Sequence, residues 1–234
     1  AALLDGAAAI GSQSTADVLK KLAAQHNIQR NAQSIADARY EIRWELSSQA
    51  GATDIGEGAA WLLIGDDAAI IAPLAEALTA RGHRHRVLGL PASDADEARL
   101  AAELRAAVHD EPALRILNVA ALDPDGATSM RSLLRMQHRI LGGTQRLFRA
   151  AAAAELRTPI WVITRAAQRI TDSDIVSPEQ TTLWGFCRVA ALEYPQVWGG
   201  LADLSSTGAD DWAELIRRVI AAAPGEDQIA LAIL

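Results

Sequence analysis

The sequence has very little lysine and cysteine. Although lysine and arginine together number 22, the lysines are confined to Lys20 and Lys21. The rest of the chain therefore cannot supply a Schiff-base lysine or a phosphate-loop lysine. It also cannot supply the lysine that lowers the pKa of a catalytic tyrosine in some reductases. The single cysteine, Cys187, cannot form an internal disulfide and fits a reducing compartment, so we expect a cytoplasmic location.

An excess of positive charge and long apolar runs are also missing. The formal net charge is -7, which disfavours binding to the phosphate backbone of nucleic acids. The longest apolar runs, such as residues 150–154, are far too short to cross a bilayer. Residues 1–9 are small and apolar but lack a basic segment, so we do not interpret them as a signal peptide. We therefore predict neither a nucleic-acid partner nor a membrane span.

Residues 1–39 differ from the rest of the chain because they are largely polar. Ser14 or Thr15 could cap a helix that runs to about Gln25. We interpret this region as a linker with one helix that leads in from a preceding domain.

A different pattern begins at Tyr40. Residues 40–46 alternate between apolar and charged side chains, which predicts a half-buried lead-in strand. The segments that follow alternate between short apolar runs and helical periodicity. The predicted strands are residues 61–64, 87–90, 114–119, 160–164, 201–204 and 228–234, and the predicted helices are residues 73–81, 95–109, 128–156, a segment from about 178, and 211–222. We predict an α/β fold for residues 40–234, a Rossmann-like, mostly parallel sheet with helices on both faces.

The turn after the first apolar strand is the place to test for a nucleotide site. A dinucleotide site needs several glycines there, because the backbone must approach the pyrophosphate closely at the N-terminus of a helix. Of these, Gly65 alone is present, and the carboxylates of Asp66 and Asp67 would repel a phosphate. Pro73 should also delay the start of the helix. We therefore interpret this segment as a plain turn that binds no cofactor.

The tyrosines do not complete a reductase site. Reductases of the short-chain type use a tyrosine followed by a lysine four positions later, which lowers the pKa of the tyrosine for proton transfer. Here Tyr40 is followed at that spacing by Trp44, and Tyr194 is followed by Trp198. The catalytic pair is therefore absent from the sequence.

The remaining candidates for chemistry have structural explanations. His83 and His85 lack a third ligand at metal-binding spacing, and we expect both at the solvated start of a strand. Cys187 falls on the inner stripe of a helix and is predicted to be a small core residue. The pair Gly142–Gly143 lies within a helical pattern and predicts close helix packing. We therefore predict no catalytic, cofactor-binding or metal-binding residue in this chain.

The predicted helix over residues 128–156 is rich in arginine and has no acidic residue before Glu155. Its arginines are Arg131, Arg135, Arg139, Arg146 and Arg149. The first three are four residues apart, so they would share one face of a helix. Two interpretations stay open: a solvated cationic face, or a docking surface formed by Arg131, Arg135 and Arg139 for an acidic partner.

The segment from Trp184 to Leu204, WGFCRVAALEYPQVWGGLADL, is the most distinctive in the chain. It resembles the signature of the structural subdomain of ketoreductase domains in modular type I polyketide synthases. Other segments that resemble this family follow the same order: Tyr40–Trp44, Trp61–Asp66, Trp161–Arg165, Ser177–Gln180 and Gly225–Gln228. Ser177, Pro178 and Gln180 also predict a capping box with proline at the first helical position. The alanine- and arginine-rich composition is similar to that of actinobacterial synthases, including mycobacterial lipid-type synthases.

The resemblance implies a truncated Rossmann-like fold and a non-catalytic structural subdomain. This subdomain would support an NADPH-dependent, β-ketoacyl-reducing half in adjoining sequence, so the chain itself would bind no cofactor and would not be an enzyme by itself. The implied partners are that catalytic ketoreductase subdomain and neighbouring dehydratase and enoylreductase domains. The alternative is an interaction module, or an inactive ketoreductase relic, that docks an acyl carrier protein or a neighbouring synthase domain.

Overall fold

A computed structural model describes residues 15–37, 42–46, 58–122, 129–172, 174–222 and 225–231. The chain divides into two compact units, residues 1–48 and residues 49–234. The boundary that the sequence suggests, between residues 39 and 40, stays a prediction.

In the first unit, helix α1 runs from Thr15 to Asp37, well past the predicted end near Gln25. Residues 26–37 contain neither glycine nor proline, so no residue type stops the helix there. The Gln33 side chain donates a 2.8 Å hydrogen bond to Asp37 near the C-terminal end of α1. The predicted end was wrong: Ile28, Ala32 and Ile35 continue the helical spacing past Gln25 within an otherwise polar stretch.

Residues 42–46 do not form the predicted lead-in strand. Ile42 and Leu46, which the alternating pattern should bury on one face, are both exposed. Alternation specifies a strand only when a neighbouring strand pairs with it and a core covers one face. Tyr40, the first residue of the predicted strand, lies outside the described residues.

The second unit is built on a six-stranded parallel sheet with the strand order β2-β1-β3-β4-β5-β6. All five strand pairs in this sheet are parallel. The strands are β1 (Ala60–Ile64), β2 (Arg84–Leu88), β3 (Arg115–Asn118), β4 (Ile160–Arg165), β5 (Trp198–Leu204) and β6 (Gln228–Leu231). The predicted α/β class and parallel sheet are confirmed, and residues 232–234 of the last predicted strand lie outside the described residues.

Six helices connect the strands of the second unit in the described ranges. They are α2 (Ala68–Thr79), α3 (Glu97–Asp110), α4 (Met130–Gln137), α5 (Gly143–Ala153), α6 (Pro178–Glu193) and α7 (Ala209–Ala221). The single helix predicted over 128–156 is interrupted by a π-helical turn, His138–Gly142, between α4 and α5. Thr128, its predicted first residue, lies outside the described residues.

The helices cover both faces of the sheet, as predicted. On one face, α2 and α7 bury a core that includes Trp61, Leu74 and Trp212. On the other face, the Asn118 amide at the end of β3 donates a 3.0 Å hydrogen bond to the Thr144 hydroxyl of α5. Helix α6 packs against β4, β5 and the π-helical turn His138–Gly142.

Helix α2 begins at Ala68, before the predicted start at Pro73. The Asp67 carboxylate caps its N-terminus by accepting a 2.8 Å hydrogen bond from the backbone N–H of Ala69. An aspartate cap stabilises a helix start by about 1 kcal/mol. Pro73 therefore lies inside α2, where it removes one backbone hydrogen bond without setting the helix start.

Strand β2 begins at Arg84, earlier than the predicted strand over residues 87–90. It forms one edge of the sheet, and its first residues are exposed and charged. Arg84 pairs with Glu111, and Arg86 lies 3.1 Å from Asp110. An edge strand buries little of its surface, so its start is not marked by an apolar run.

The predicted capping box at the start of α6 is wrong in its hydrogen bonds. Ser177 is the N-cap and Pro178 follows at the first helical position, as predicted, but the Ser177 side chain makes no capping bond. The Gln180 side chain instead accepts a 2.7 Å hydrogen bond from the backbone N–H of Arg165. The Gln180 side chain therefore bonds to a residue distant in sequence and not to the N-cap backbone, as the local pattern predicted.

Candidate functional site

The carboxyl ends of β1 and β3 border a cleft at the centre of the sheet. The chain passes from β1 to β2 on one side and returns to β3 on the other, so this is the switch point where doubly wound folds place their ligands. The cleft is lined by Gly65, Asp66, Asp67, Ile70, Ile71, Val119, Ala120 and Arg139. Its cavity volume of about 10 Å³ is far below the roughly 300–1,000 Å³ of common ligand sites.

The residues of this cleft do not fit a dinucleotide. The Asp67 carboxylate accepts the Ala69 N–H, which is the type of donor that a bound phosphate would need at a helix N-terminus. A Cβ atom at Gly65 would lie 3.1 Å from the Val119 side chain, so this glycine lets the ends of β1 and β3 approach each other. The Asp67 carboxylate therefore occupies one backbone donor of this turn, and its negative charge opposes a phosphate at that position.

A second set of polar residues lies at the carboxyl ends of β4 and β5. The Thr164 hydroxyl donates a 2.6 Å hydrogen bond to Asp203 and accepts a 2.8 Å bond from the Trp184 indole N–H of α6. Asp203 also accepts backbone N–H bonds from Ala167 and Gln168, both at 2.9 Å. We call Thr164, Asp203 and Trp184, with these two N–H groups, the Asp203 network.

The three side chains of the Asp203 network are buried. Burial raises the pKa of the Asp203 carboxyl, while its hydrogen bonds from Thr164, Ala167 and Gln168 act in the opposite direction. The Thr164 hydroxyl therefore donates its proton to Asp203 and uses its oxygen to accept the Trp184 N–H. The arrangement therefore joins β4, β5, α6 and the loop after β4, but it offers no group that a substrate could reach.

Sequence reasoning did not identify this network. Its members lie far apart in the chain, so no spacing rule connects them. One signal was available, because Asp203 stands within the apolar run Leu201–Leu204. An aspartate in a buried strand needs several hydrogen-bond donors around it.

The two histidines occupy different environments. His85 is exposed in β2, as predicted, but His83 is only 4% exposed and the prediction of a solvated position is wrong for it. The His83 ring lies 6.0 Å from the ring of Trp61. Burial lowers the pKa of His83, and the charges of Arg115 and Arg81 lower it further. Within the described ranges, no group of three or more His, Cys, Asp or Glu side chains is arranged to hold a metal ion.

The burial of His83 predicts acid sensitivity. Its folded-state pKa lies below the ordinary value of 6.5, so the unfolded chain binds the proton more readily. The stability contributed by neutral His83 is complete above about pH 6.5 and is lost as the pH falls through the lower pKa of the folded state. Urea unfolding between about pH 7.5 and 5 should therefore show less acid destabilisation in His83→Phe than in the wild type. The exposed His85→Phe serves as the control, and equal acid sensitivity of all three proteins would contradict the prediction.

The arginines of the predicted long helix separate into different environments. Arg131 and Arg135 are exposed on α4, whereas Arg139 lies in the π-helical turn and lines the switch-point cleft. Arg146 is buried and donates a 2.9 Å hydrogen bond to the Pro91 carbonyl, and Arg149 lies 3.1 Å from Glu97. The docking role of Arg131, Arg135 and Arg139 stays a prediction, but the three do not form one uniform exposed stripe.

Cys187 and the glycine pair occupy the predicted positions. Cys187 is buried in α6, and burial raises the pKa of its thiol. A Cβ atom at Gly143 would lie 2.8 Å from the Leu90 side chain, so this glycine permits close packing, but against the segment after β2 and not against a helix. None of the described helices combines the length and apolar character needed to cross a membrane.

The sequence is similar to large modular synthases. It is 33% identical over 211 residues to the pikromycin polyketide synthase component PikAII of Streptomyces venezuelae, covering 85% of this chain and 5% of that protein. It is 32% identical over 238 residues to the polyketide synthase GfsA of Streptomyces halstedii, covering 94% of this chain and 3% of that protein. The chain thus spans a small part of these relatives.

The fold and the family model agree with these relatives. A C2-type ketoreductase from a modular polyketide synthase matches with a TM-score of 0.61 and 31% identity, covering 76% of this chain and 39% of that chain. Residues 43–232 match the family model described as the Rossmann fold domain of the polyketide synthase extender module SpnB. The chain therefore belongs to this family of Rossmann fold domains, which lie in the ketoreductase region of modular polyketide synthases.

Proposed function

We propose that this chain is the non-catalytic structural subdomain of a polyketide synthase ketoreductase. It would stabilise and orient an NADPH-dependent half, encoded in adjoining sequence, that reduces the β-ketoacyl group. The observation that carries the proposal is the occupation of both carboxyl-edge sites by the chain's own side chains. Asp67 caps α2 where a phosphate would bind, and the Asp203 network fills the end of β4 and β5.

The share of the solved ketoreductase that this chain covers supports the same proposal. Only 39% of the C2-type ketoreductase chain is matched, so most of that protein lies outside the matched region. We propose that the cofactor site and the reducing residues lie in the part of this synthase that corresponds to the unmatched part of the solved ketoreductase. The synthase would act in the cytoplasm. Neighbouring dehydratase and enoylreductase domains are proposed as further partners.

An apolar stripe on α6 is the surface we propose for the catalytic half. Phe186, Val189 and Leu192 follow one another at helical spacing, and Val189 and Leu192 are exposed. The opposite side of α6 is buried against the sheet through Leu183, Trp184, Cys187 and Ala190. A helix that is apolar on both sides needs a second partner to cover its outer face.

Gly185 extends the same outer surface. A Cβ atom there would have no neighbour within 4 Å, so packing inside the chain does not require glycine. Glycine in a helix interior costs about 0.5–1 kcal/mol relative to alanine. Close approach of a partner element at Gly185 would account for this cost, which supports α6 as the contact surface.

Charge on the α6 stripe should uncouple the two halves. In the full ketoreductase polypeptide, Val189→Asp with Leu192→Asp should lower NADPH-dependent reduction of a β-ketoacyl thioester about tenfold or more, because two carboxylates would be buried at the interface. Both positions are exposed in this chain, so its own unfolding free energy should change by no more than about 0.5 kcal/mol per substitution. Limited proteolysis would show whether the halves have separated.

The exposed Ile175→Asp, outside α6, is the matched control and should retain wild-type activity. Wild-type activity and protease resistance in the α6 double variant would rule out the stripe as the interface. Calorimetry of this chain with NADPH tests the non-catalytic role directly. Micromolar binding of NADPH, or reduction of the thioester by this chain alone, would overturn that role.

A further inference from the structure

Helix α4 presents two parallel rows of exposed side chains. Met130 and Leu134 are 70% and 62% exposed, and they are four residues apart, so they form one apolar row. Arg131 and Arg135 are exposed at the same spacing and form a cationic row beside it. We call these four residues the α4 surface. It combines positive charge with apolar area, as a surface for an amphipathic partner would.

The positive charge of the α4 surface is not neutralised within the described part of the chain. Arg131 and Arg135 form no ion pair with any described residue, whereas Arg146 lies 3.6 Å from Asp94 and Arg149 lies 3.1 Å from Glu97. Residues 129–154 contain no aspartate or glutamate, although the whole chain has a net charge of -7. The local charge is therefore opposite in sign to that of the protein.

Arg131 is also placed against the electrostatics of its own helix. α4 starts at Met130 behind the Ser129 cap, so Arg131 lies in the first turn, where the helix dipole favours negative charge. The exposed side chains of Met130 and Leu134 contribute little to the stability of the chain. A cationic side chain in the first turn and exposed apolar side chains are unfavourable for the chain alone. Both become favourable when a partner places carboxylates and apolar side chains against them.

We propose that the α4 surface docks a negatively charged amphipathic helix of another domain. The partner's carboxylates would pair with Arg131 and Arg135, and its apolar side chains would cover Met130 and Leu134. Arg139 is left out, because it lines the switch-point cleft. This inference goes beyond the proposed support of the catalytic half, which uses α6. In a synthase, an acyl carrier domain of negative net charge has the required chemistry.

The test measures binding of the purified 234-residue chain to such a carrier domain by fluorescence anisotropy. At about 50 mM salt, Arg131→Glu with Arg135→Glu should weaken binding about tenfold or more. Wild-type binding should weaken as salt rises, while Met130→Ser with Leu134→Ser should weaken binding several-fold at every salt concentration. The control is Arg157→Glu, which reverses an exposed arginine outside α4 and should change affinity less than about twofold.

Three results would overturn the proposal. The first is equal binding by the wild type and the arginine double variant. The second is displacement of the carrier domain by polyglutamate at equal carboxylate concentration, which would show attraction without a shaped surface. The third is separation of the ketoreductase halves by the α4 substitutions, which would assign α4 to that interface. Loss of NADPH-dependent reduction in the α6 variant with unchanged carrier binding would leave the α4 proposal intact.

Discussion

Replacement of Asp203 by alanine should lower the free energy of unfolding by about 3–5 kcal/mol. The carboxylate accepts hydrogen bonds from the Thr164 hydroxyl and from the backbone N–H groups of Ala167 and Gln168. Removing it leaves these donors in a buried region, where each unpaired donor costs about 1–3 kcal/mol. Equilibrium urea unfolding of the two proteins measures the difference.

Two further variants make the Asp203 result specific. Asp172→Ala removes an exposed aspartate from the loop after β4 and should change stability by less than about 0.5 kcal/mol. Asp203→Asn keeps one acceptor oxygen but turns an amide N–H₂ group toward backbone donors, so its loss should be intermediate. A loss below about 1 kcal/mol for Asp203→Ala would show that the Asp203 network does not hold this edge of the sheet together.

Gly200→Ala should destabilise the chain by about 3 kcal/mol, the upper end of the range for an overfilled core. A Cβ atom at Gly200 would lie 2.6 Å from the Trp161 ring and 2.7 Å from the Asp227 backbone oxygen. The same oxygen accepts the 2.7 Å hydrogen bond from Leu201 that begins the β5–β6 pairing. The added methyl group would therefore disturb both the packing of Trp161 and this pairing.

Gly185→Ala is the matched comparison for Gly200→Ala. The space around a Cβ atom at Gly185 is open, and alanine in a helix interior is favoured by about 0.5–1 kcal/mol. The two substitutions should therefore shift the thermal unfolding midpoint of the isolated chain in opposite directions, which differential scanning calorimetry would show. A neutral or stabilising effect at Gly200 would contradict the close packing of Trp161 against β5.

The central strands could be predicted from sequence because their position leaves a simple pattern. β1, β3 and β4 have neighbours on both sides and helices on both faces, so most of their residues are buried and their centres are apolar. The family signature was also visible, and the structure gives a reason for part of it. Gly199 and Gly200 lie where the β4–β5 register shifts, with a Cβ atom at Gly199 only 2.8 Å from the Ile160 carbonyl oxygen.

Two of the failed predictions share a physical cause: the presence or absence of partners distant in sequence decided what the local pattern formed. Gln180 has the position of a capping-box residue, but it accepts the backbone N–H of Arg165. Residues 42–46 have the alternation of a strand, but Ile42 and Leu46 are exposed. The π-helical turn after α4 interrupts the regular helical spacing, so the change in environment from Arg135 to Arg139 does not follow from a separation of four residues.

For the turn after β1 the sequence predicts no cofactor site, and this stays a prediction. The single glycine and two aspartates after β1 argued against a phosphate loop, and the structure adds that Asp67 itself caps α2. The Asp203 network could not be predicted, because its side chains come together only when β4, β5 and α6 are assembled. Chemistry formed by tertiary contacts is therefore the part of this protein that local sequence rules miss.

The parallel pairing of the sheet has a consequence for biosynthesis. In the described sheet every pair of neighbouring strands is parallel, so a long connection separates the members of each pair and no hairpin can nucleate them locally. The last described strand, β6, pairs with β5 at one edge, so the sheet cannot be completed until residues 228–231 have left the ribosome. We therefore expect the apolar strands to stay unpaired and exposed until the later strands have been synthesised. Chaperones would have the most time to bind them during this interval.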